Sequence, residues 1–286
     1  MIANYHTHTY RCHHASGTER EYIEKAIAEG LTVMGFSDHV PMPFAAGHQS
    51  GYRIRIEELE DYVRSLEALR EEYRGRINIL IGFEAEYYPT YFGDMLAHLE
   101  PFDYEYLILG QHFLYDEAGA PYCSHEFEDV KLLDDYVEQG TRALHTGAFS
   151  CFAHPDLIHF EGDEGTYRRT VRRLCREAKA CGVPLEMNLL GIRARRHYPR
   201  EAFWQEAAVV GNQVILGRDA HDPAAFGDAK AKLDATGLVP VIREEAQKKP
   251  LLGICLGMQM LFEKSYEYGE HEGLGLLKGS IVPMKG

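Results

Sequence analysis

The sequence predicts an α/β barrel built from parallel strands and crossover helices. Seven apolar segments that resemble β-strands alternate with segments of helical periodicity, which is typical of parallel strands joined by helices. Six of the seven predicted strands end in, or are soon followed by, His, Asp or Glu. A doubly wound sheet collects its ligand at one switch point, whereas a closed or nearly closed barrel brings all its strand ends to one mouth. These side chains therefore favour the barrel.

The first strand and the unit after it contain the clearest local signals. His6 and His8 follow the apolar N-terminus, and two imidazoles at i and i+2 on a strand point to the same side. The apolar stripe over residues 18–29 predicts a helix that ends at a glycine. The strand predicted over residues 31–36 then leads to His39, where α/β folds place their chemistry. This strand–helix unit repeats along the chain.

Five more predicted strands follow, with helices between most of them. The strands cover residues 77–83, 104–109, 150–153, 183–187 and 214–216. The helices cover residues 56–73, 130–146, 167–180 and 201–210. Glu84, His112, His154, Asp219 and His221 stand at or just past strand ends.

Metal-ligand residue types recur at these strand ends and in the first loop. The candidate ligands are His6, His8, His14, His39, Glu84, His112, His154, Asp219 and His221. They offer nitrogen and oxygen donors without thiolate, which suits two or three divalent transition-metal ions such as zinc, manganese or iron. Polar residues are ordinary in loops after strands, but their recurrence at six strand ends favours a multinuclear metal site.

Composition excludes several function classes. A net charge of −14 over 286 residues, without a long basic run, argues against a nucleic-acid partner. The longest apolar run, residues 250–262, is too short to span a bilayer and contains glycines. We therefore expect no membrane partner and a cytoplasmic location. The six cysteines form no CxxC pair, so neither a disulfide framework nor a thiolate zinc site is predicted.

The motifs around the candidate ligands resemble one superfamily in order and spacing. They are His6-Thr7-His8-Thr9, His14, Ser37-Asp38-His39, Gly82-Phe83-Glu84, Gln111-His112-Phe113, Ala153-His154-Pro155-Asp156 and Gly217-Arg218-Asp219-Ala220-His221. From residue 1 to about 222 the chain resembles the PHP (polymerase and histidinol phosphatase) superfamily, and within it the histidinol-phosphatases of histidine biosynthesis. The resemblance implies a distorted (βα)7 barrel over residues 1–224 that hydrolyses L-histidinol phosphate to L-histidinol and phosphate. Another small phosphate ester is the alternative substrate.

The resemblance also implies a trinuclear centre with assigned ligands. One ion would be bound by His6, His8, Glu84 and Asp219, a second by Glu84, His112 and His154, and a third by His14, His39 and His221. Catalysis is assigned to Glu84, Asp219 and His221. The chain departs from the family at Cys12-His13-His14-Ala15, where Cys-Pro-His-Gly is frequent, so His13 is an alternative to His14. Glu86 stands where the family commonly has Asp, and we expect this to alter only a contact behind the ligands.

Substrate recognition is assigned to the predicted loop over residues 188–193, which resembles the family's Asn-Thr-x-Gly-Leu-Arg. Arg193 can form bidentate bonds to a phosphate, and Asn188 is the second substrate-binding residue. Arg195 and Arg196 belong to a short charge run, which predicts solvated side chains. Residues 51–55 are a candidate lid with a further arginine. The sequence does not select the general acid.

The C-terminal segment, residues 225–286, resembles an internal part of the glutamine amidotransferase subunit of imidazole glycerol phosphate synthase. Gly253, Cys255 and Gly257 have the spacing of a nucleophile elbow. No His-x-Glu pair follows to activate the thiol, so we expect a short α/β appendage without catalysis, joined to the barrel by gene fusion. Glutaminase activity, docking to another histidine-pathway enzyme and homo-oligomer formation are the alternatives. A helix over residues 226–235 is predicted to replace the barrel's own last helix.

Overall fold

The computed structural model describes residues 3–45, 48–226, 262–265, 271–272 and 275–281. Within these ranges seven parallel strands pair in sequence order. They are β1 (Ala3–Asn4), β2 (Val33–His39), β3 (Asn78–Ala85), β4 (Tyr106–Leu109), β5 (Cys151–Phe152), β6 (Leu185–Asn188) and β7 (Val214–Gly217). A parallel bridge between Thr7 and Ala220 joins the first strand to the last. The sheet is thus nearly closed, which confirms the predicted (βα)7 barrel.

The helices of the described barrel lie between the strands. They are α1 (Glu19–Ala28), α2 (Leu59–Glu72), α3 (Phe92–Leu99), α4 (Val130–His145), α5 (Glu164–Ala180), α6 (Leu189–Arg193) and α7 (Glu201–Val210). The predicted helices lie close to α1, α2, α4, α5 and α7. Two helices were not predicted. The eight-residue α3 has no side-chain N-cap, and α6 forms where a loop was expected because the Asn188 side chain accepts a hydrogen bond from the Gly191 N–H (3.1 Å).

Helix α1 shows why the sequence predicted its position well. Thr18 and Glu21 form a capping box, in which each side chain accepts the other's backbone N–H. The helix buries Tyr22, Ile23 and Ala26 on one face. Gly30 follows with a φ of +79°, a left-handed conformation that glycine adopts without steric cost. Caps at both ends therefore fix the helix between β1 and β2.

A tyrosine fills the barrel interior beneath the strand ends. The Tyr106 hydroxyl donates hydrogen bonds to the carbonyls of Tyr5 (2.8 Å) and Phe36 (3.1 Å). Gly35 and Gly82 leave room for it, because a Cβ at either position would overlap the Tyr106 side chain. The Tyr106 side chain therefore fills the barrel interior next to Gly35 and Gly82.

The outer face of β7 differs from that of the other strands. Val214 and Leu216 are each 47% exposed, and Val209 at the end of α7 is 73% exposed. In a (βα) repeat the helix after a strand normally covers this face. The helix predicted for that purpose, residues 226–235, lies outside the described residues except for Phe226.

The described parts of the C-terminal segment form a small sheet. Its strands are β8 (Phe262–Ser265), β9 (His271–Glu272) and β10 (Leu277–Ile281), in the order β10-β8-β9. Cys255 and most of the predicted appendage lie outside the described residues. No helix in the described part of the chain is long and apolar enough to cross a membrane.

Candidate metal centre

The nine predicted ligands converge at the mouth of the barrel. Glu84 and His39 lie within β3 and β2, and the others follow strand ends or a short 3-10 turn at Tyr10–Cys12. His6, His8, His39, Glu84, His154 and Asp219 are buried. Side chains separated by more than 200 residues in the chain thus become neighbours because parallel strands end at the same edge.

Glu84 is the centre of the cluster. Its carboxylate lies within hydrogen-bond or ion-pair distance of five imidazoles: His154 Nε2 (2.9 Å), His39 Nδ1 (3.1 Å), His6 Nε2 (3.4 Å), His8 Nε2 (3.5 Å) and His112 Nε2 (3.6 Å). Gly110 on the neighbouring chain segment makes this possible, because a Cβ there would overlap the Glu84 side chain. A carboxylate in this position can bridge two ions.

The donor atoms fall into groups of metal-binding size. His14, His39 and His221 form one group, His6, His8 and Asp219 a second, and His6, Glu84 and His154 a third, each with its ligand atoms within 4.8 Å of one another. The buried Nε2 atom of His221 has no hydrogen-bond partner among the described residues. Imidazole and carboxylate donors around such an atom fit a transition-metal ion.

Three of the histidines are oriented by carboxylates behind them. The Nδ1 atoms of His6, His8 and His112 lie 2.8, 3.3 and 2.7 Å from carboxylate oxygens of Glu186, Asp38 and Glu86, respectively. A carboxylate that accepts a hydrogen bond from Nδ1–H leaves the Nε2 lone pair for a metal. The expectation that Glu86 acts behind the ligands agrees with its position. Glu186 was not predicted, because it lies within β6, the strand without a candidate ligand.

Charge around the cluster shifts the pKa values of its members. Burial alone would raise the pKa of Glu84 and Asp219, but the neighbouring histidines outweigh it and hold both carboxyl pKa values well below their usual range. Burial would likewise lower the pKa of His6, but Glu186, Asp219 and Glu84 raise it well above its usual value. Protons and metal ions compete for these imidazole nitrogens.

Two of the predicted ligands have backbone conformations that are unusual outside glycine. His154 has a φ of 31° and Asp219 a φ of 48°. Non-glycine residues in this region carry strain, which persists only where the surroundings hold them and which often marks functional sites. Both residues lie two positions past the end of a strand, in the turns that bring their side chains to the mouth of the barrel.

A cavity of about 450 Å³ lies above the cluster. Its polar floor is formed by His14, His39, Glu84, His112, His154, Asp219 and His221, and the rest of its lining by Tyr52, Phe113, Tyr122, Leu157, Leu190, Arg196 and Tyr198. Seven of the nine predicted ligands therefore face the cavity. Its walls combine aromatic rings with one guanidinium group.

The structure does not bring the two predicted substrate-binding residues to this cavity. The Arg193 guanidinium donates to the backbone carbonyls of Ala225 and Arg218, at 3.3 Å each. Asn188 is fully buried, and its amide donates to Asp219 (3.1 Å). Arg196, predicted to be solvated, lines the cavity instead and donates to the Tyr198 hydroxyl (2.8 Å).

The geometry also bears on two alternatives that the sequence leaves open, the choice between His13 and His14 and the candidate lid. His13, the alternative to His14, is directed toward Glu58, with 3.5 Å between Nε2 and a carboxylate oxygen. The His14 ring lies beside that of His221, with centroids 4.4 Å apart and planes tilted by 43°. The candidate lid over residues 51–55 contains two arginines, and Arg53 is only 2% exposed, because it is paired with Glu86 (2.6 Å) and Glu117 (2.8 Å). It is Tyr52, not Arg53, that faces the cavity.

Comparison with known protein families identifies the family to which the barrel belongs. The PHP domain family matches residues 4–189. The chain belongs to the PHP family. A "probable histidinol-phosphatase" from Deinococcus radiodurans is 30% identical over 240 residues, covering 79% of this PHP chain and 88% of that protein.

Solved structures support the PHP fold. The HisK protein from Listeria monocytogenes has a TM-score of 0.68 at 18% identity, covering 80% of this chain and 98% of that one. The histidinol phosphate phosphatase from Lactococcus lactis, solved with Zn, L-histidinol and phosphate, has a TM-score of 0.63 at 17% identity, covering 82% and 94%. At these identities the likeness establishes the barrel alone.

A second match begins where the PHP barrel ends. The class-I glutamine amidotransferase family matches residues 223–281. The HisH subunits of imidazole glycerol phosphate synthase from Aquifex aeolicus and Wolinella succinogenes are each 63% identical over 59 and 60 residues. These matches cover only 28% and 29% of the two subunits. The chain therefore carries a PHP barrel and less than a third of an amidotransferase subunit.

Proposed function

We propose that the chain is a metal-dependent phosphomonoesterase that hydrolyses L-histidinol phosphate to L-histidinol and phosphate. The observation that carries this proposal is the cavity whose floor is a cluster of imidazoles and carboxylates. The name of the Deinococcus radiodurans relative supports the choice of substrate. We further propose the domain division at residues 1–224 and 225–286, because the amidotransferase match begins at residue 223.

The reaction requires charge neutralisation and a strong nucleophile, because phosphate monoesters hydrolyse extremely slowly unaided. Divalent ions, when bound, neutralise phosphoryl oxygens and lower the pKa of water. We propose two or three zinc, manganese or iron ions held by the nine ligands, in the three sets that the family resemblance implies. Glu84 would belong to two of these sets, while Asp219 and His221, which follow β7, would each belong to one.

The cavity lining suits a small substrate with a phosphate and a flat ring. Arg196 is the arginine that lines the cavity, and guanidinium groups bind phosphate oxygens in a bidentate manner. Tyr52 and Phe113 stand in a stacked arrangement, with centroids 6.2 Å apart and planes at 22°. Such faces pack against an imidazole ring. We propose Arg196 for the phosphate and the aromatic wall for the ring.

Substituting Arg196 and Arg193 separately tests which arginine binds the phosphate. A hydrogen bond to a charged group contributes about 1.5–3 kcal/mol, so R196A should raise KM for histidinol phosphate by about tenfold or more, with a smaller change in kcat. R193A should leave KM unchanged and lower thermal stability, because Arg193 donates to two carbonyls. Steady-state kinetics of both variants decide the question. A KM increase in R193A alone would restore the assignment made from sequence.

The function itself is tested with phosphate release from a panel of phosphomonoesters. We expect histidinol phosphate to be the best substrate, activity to be lost on chelation, and manganese or zinc to restore it. Full turnover by metal-free protein would refute a metallophosphatase. Faster hydrolysis of another small phosphate ester would be consistent with the proposed metal centre but would identify a different substrate.

The same preparations test the alternative through the C-terminal segment. Cys255 lies outside the described residues, and no His-x-Glu pair follows it in the sequence. A thiol needs a neighbouring base or positive charge to become a nucleophile. We expect no glutamine hydrolysis by the wild-type chain or by C255S. Glutaminase activity abolished by C255S would contradict this, while docking to another enzyme, homo-oligomer formation and the cytoplasmic location stay predictions.

A further inference from the structure

We propose that Glu186 is a positioning residue that orients the metal ligands His6 and His154 directly and Asp219 through Asn188, an inference that rests on the proposed metal centre. Glu186 lies in β6 (Leu185–Asn188), the strand that supplies none of the nine ligands. Its side chain is buried, with 1% exposure. A buried carboxylate is costly unless donors surround it, and the donors around Glu186 belong to the ligands or lie next to them.

The two carboxylate oxygens of Glu186 have different partners. Oε1 lies 2.8 Å from Nδ1 of His6, which follows β1. Oε2 accepts the backbone N–H of His154, which follows β5, and the side-chain amide of Asn188, both at 3.2 Å. The same Asn188 amide donates to Asp219, which follows β7 (3.1 Å). One carboxylate thus connects ligands from three strands.

The contact with His6 decides which ring nitrogen is available. An Nδ1–H that donates to Glu186 leaves the Nε2 lone pair free. Nε2 of His6 points into the cluster, 3.1 Å from Nε2 of His8 and 3.4 Å from Glu84. The carboxylate therefore selects the tautomer that can bind an ion between these groups.

The contact with His154 supports a strained backbone. His154 has a φ of 31°, and a residue in that conformation is held only where surrounding contacts are favourable. The hydrogen bond from its N–H to Glu186 is such a contact. It places the His154 imidazole with Nε2 at 2.9 Å from Glu84.

Gly217 on β7 provides the space that Glu186 occupies. A Cβ at Gly217 would overlap the Glu186 carboxylate. Glycine in a strand interior weakens the strand and often marks a close approach. The neighbouring strand therefore accommodates this carboxylate directly, as Gly110 accommodates the bridging Glu84.

The variant E186Q tests the inference with zinc binding as the readout. Glutamine keeps the shape of the side chain but has one acceptor oxygen, so its amide group must face either His6 or the donors on the other side. Loss of a partner behind a metal ligand typically lowers metal affinity 10–100-fold. We expect this loss when zinc binding is measured by competition with a chromophoric chelator. Excess zinc should restore kcat, with KM unchanged.

The control is E206Q. Glu206 is also buried and pairs with Arg168 and Arg172, but none of these residues is among the nine ligands. E206Q should lower the unfolding temperature and leave zinc affinity unchanged. Wild-type zinc affinity in E186Q overturns the role of Glu186. Absence of zinc binding by the wild-type chain overturns the metal centre itself, so the two failures are distinguishable.

Two further measurements keep the inference testable if E186Q does not fold. G217A retains the carboxylate but displaces it, and should reproduce the loss of zinc affinity. In the zinc-loaded wild-type chain, ¹⁵N NMR of the histidine rings should show His6 coordinated through Nε2, with a proton on Nδ1. Coordination of His6 through Nδ1 would overturn the proposal without any variant.

Discussion

Replacing Glu84 with glutamine is expected to lower kcat for histidinol phosphate by about 10³-fold or more. Glu84 is the carboxylate that approaches five imidazoles, and we propose that it bridges two ions. A metal centre supplies several kcal/mol of transition-state stabilisation, and each 1.36 kcal/mol corresponds to a factor of ten in rate. An amide cannot supply the lost negative charge. The measurement is kcat at saturating substrate over a series of zinc concentrations.

The matched control for this prediction is again E206Q, which removes a buried carboxylate outside the cluster. Its kcat should stay within about twofold of the wild-type value, because Glu206 pairs with Arg168 and Arg172, which are not among the nine ligands. Metal analysis of E84Q distinguishes loss of an ion from loss of its activity. A kcat within tenfold of wild type at full metal content would show that Glu84 is not the bridging ligand.

Replacing Arg53 with methionine is expected to destabilise the chain by about 3–5 kcal/mol, because it leaves buried carboxylates without their cation. Arg53 is paired with Glu86 and Glu117, and all three side chains are almost completely buried. Burial would raise the pKa of Glu86, but Arg53 and His112 outweigh it and lower that pKa. Methionine fills a similar volume and provides no charge.

Thermal unfolding of the metal-free chain measures this effect. Each kcal/mol shifts the unfolding temperature by about 2–4 °C in domains of about 150–250 residues, so we expect a decrease of roughly 10 °C. R64M is the control, because Arg64 forms an exposed ion pair with Glu60, which contributes at most about 1 kcal/mol. Equal unfolding temperatures of R53M and R64M would show that the buried pairs contribute little.

The convergence of the candidate ligands was predictable from sequence because the fold places these side chains by a simple rule. Parallel strands that alternate with helices end at the same edge, so His6, His39, Glu84 and His154 needed only their strands to be recognised. No distance had to be known. The strand boundaries could shift by one or two residues without moving any of these side chains away from the mouth of the barrel.

Glu186 could not be found in this way. It lies inside a short buried strand, and its partners follow strands β1 and β5. The local sequence Leu185-Glu186-Met187-Asn188 indicates only that a charged residue points to one face. Its importance depends on which groups occupy that face, and those groups come from distant parts of the chain.

The arginines show the same limit. The family motif drew attention to Arg193, but the chain there forms the short helix α6, and the turn that follows directs Arg196 toward the cavity. The candidate lid over residues 51–55 contains two arginines, the sequence selects neither of them, and the structure buries Arg53. Its carboxylate partners, one of them 64 residues away, are visible only in three dimensions.

The closure of the barrel has a thermodynamic consequence. Its first and last strands meet through the Thr7–Ala220 bridge, with hydrogen bonds from His8 N–H to the Ala220 carbonyl (2.9 Å) and from Ala220 N–H to the His6 carbonyl (3.2 Å). His6 and His8 on one side, with Asp219 on the other, are proposed to hold the same ion. That ion would connect the two segments that close the barrel. The free energy of its binding would therefore also oppose local separation of these segments. By thermodynamic reciprocity, any change that destabilises the contact between these two segments would weaken binding of the ion by the same coupling free energy.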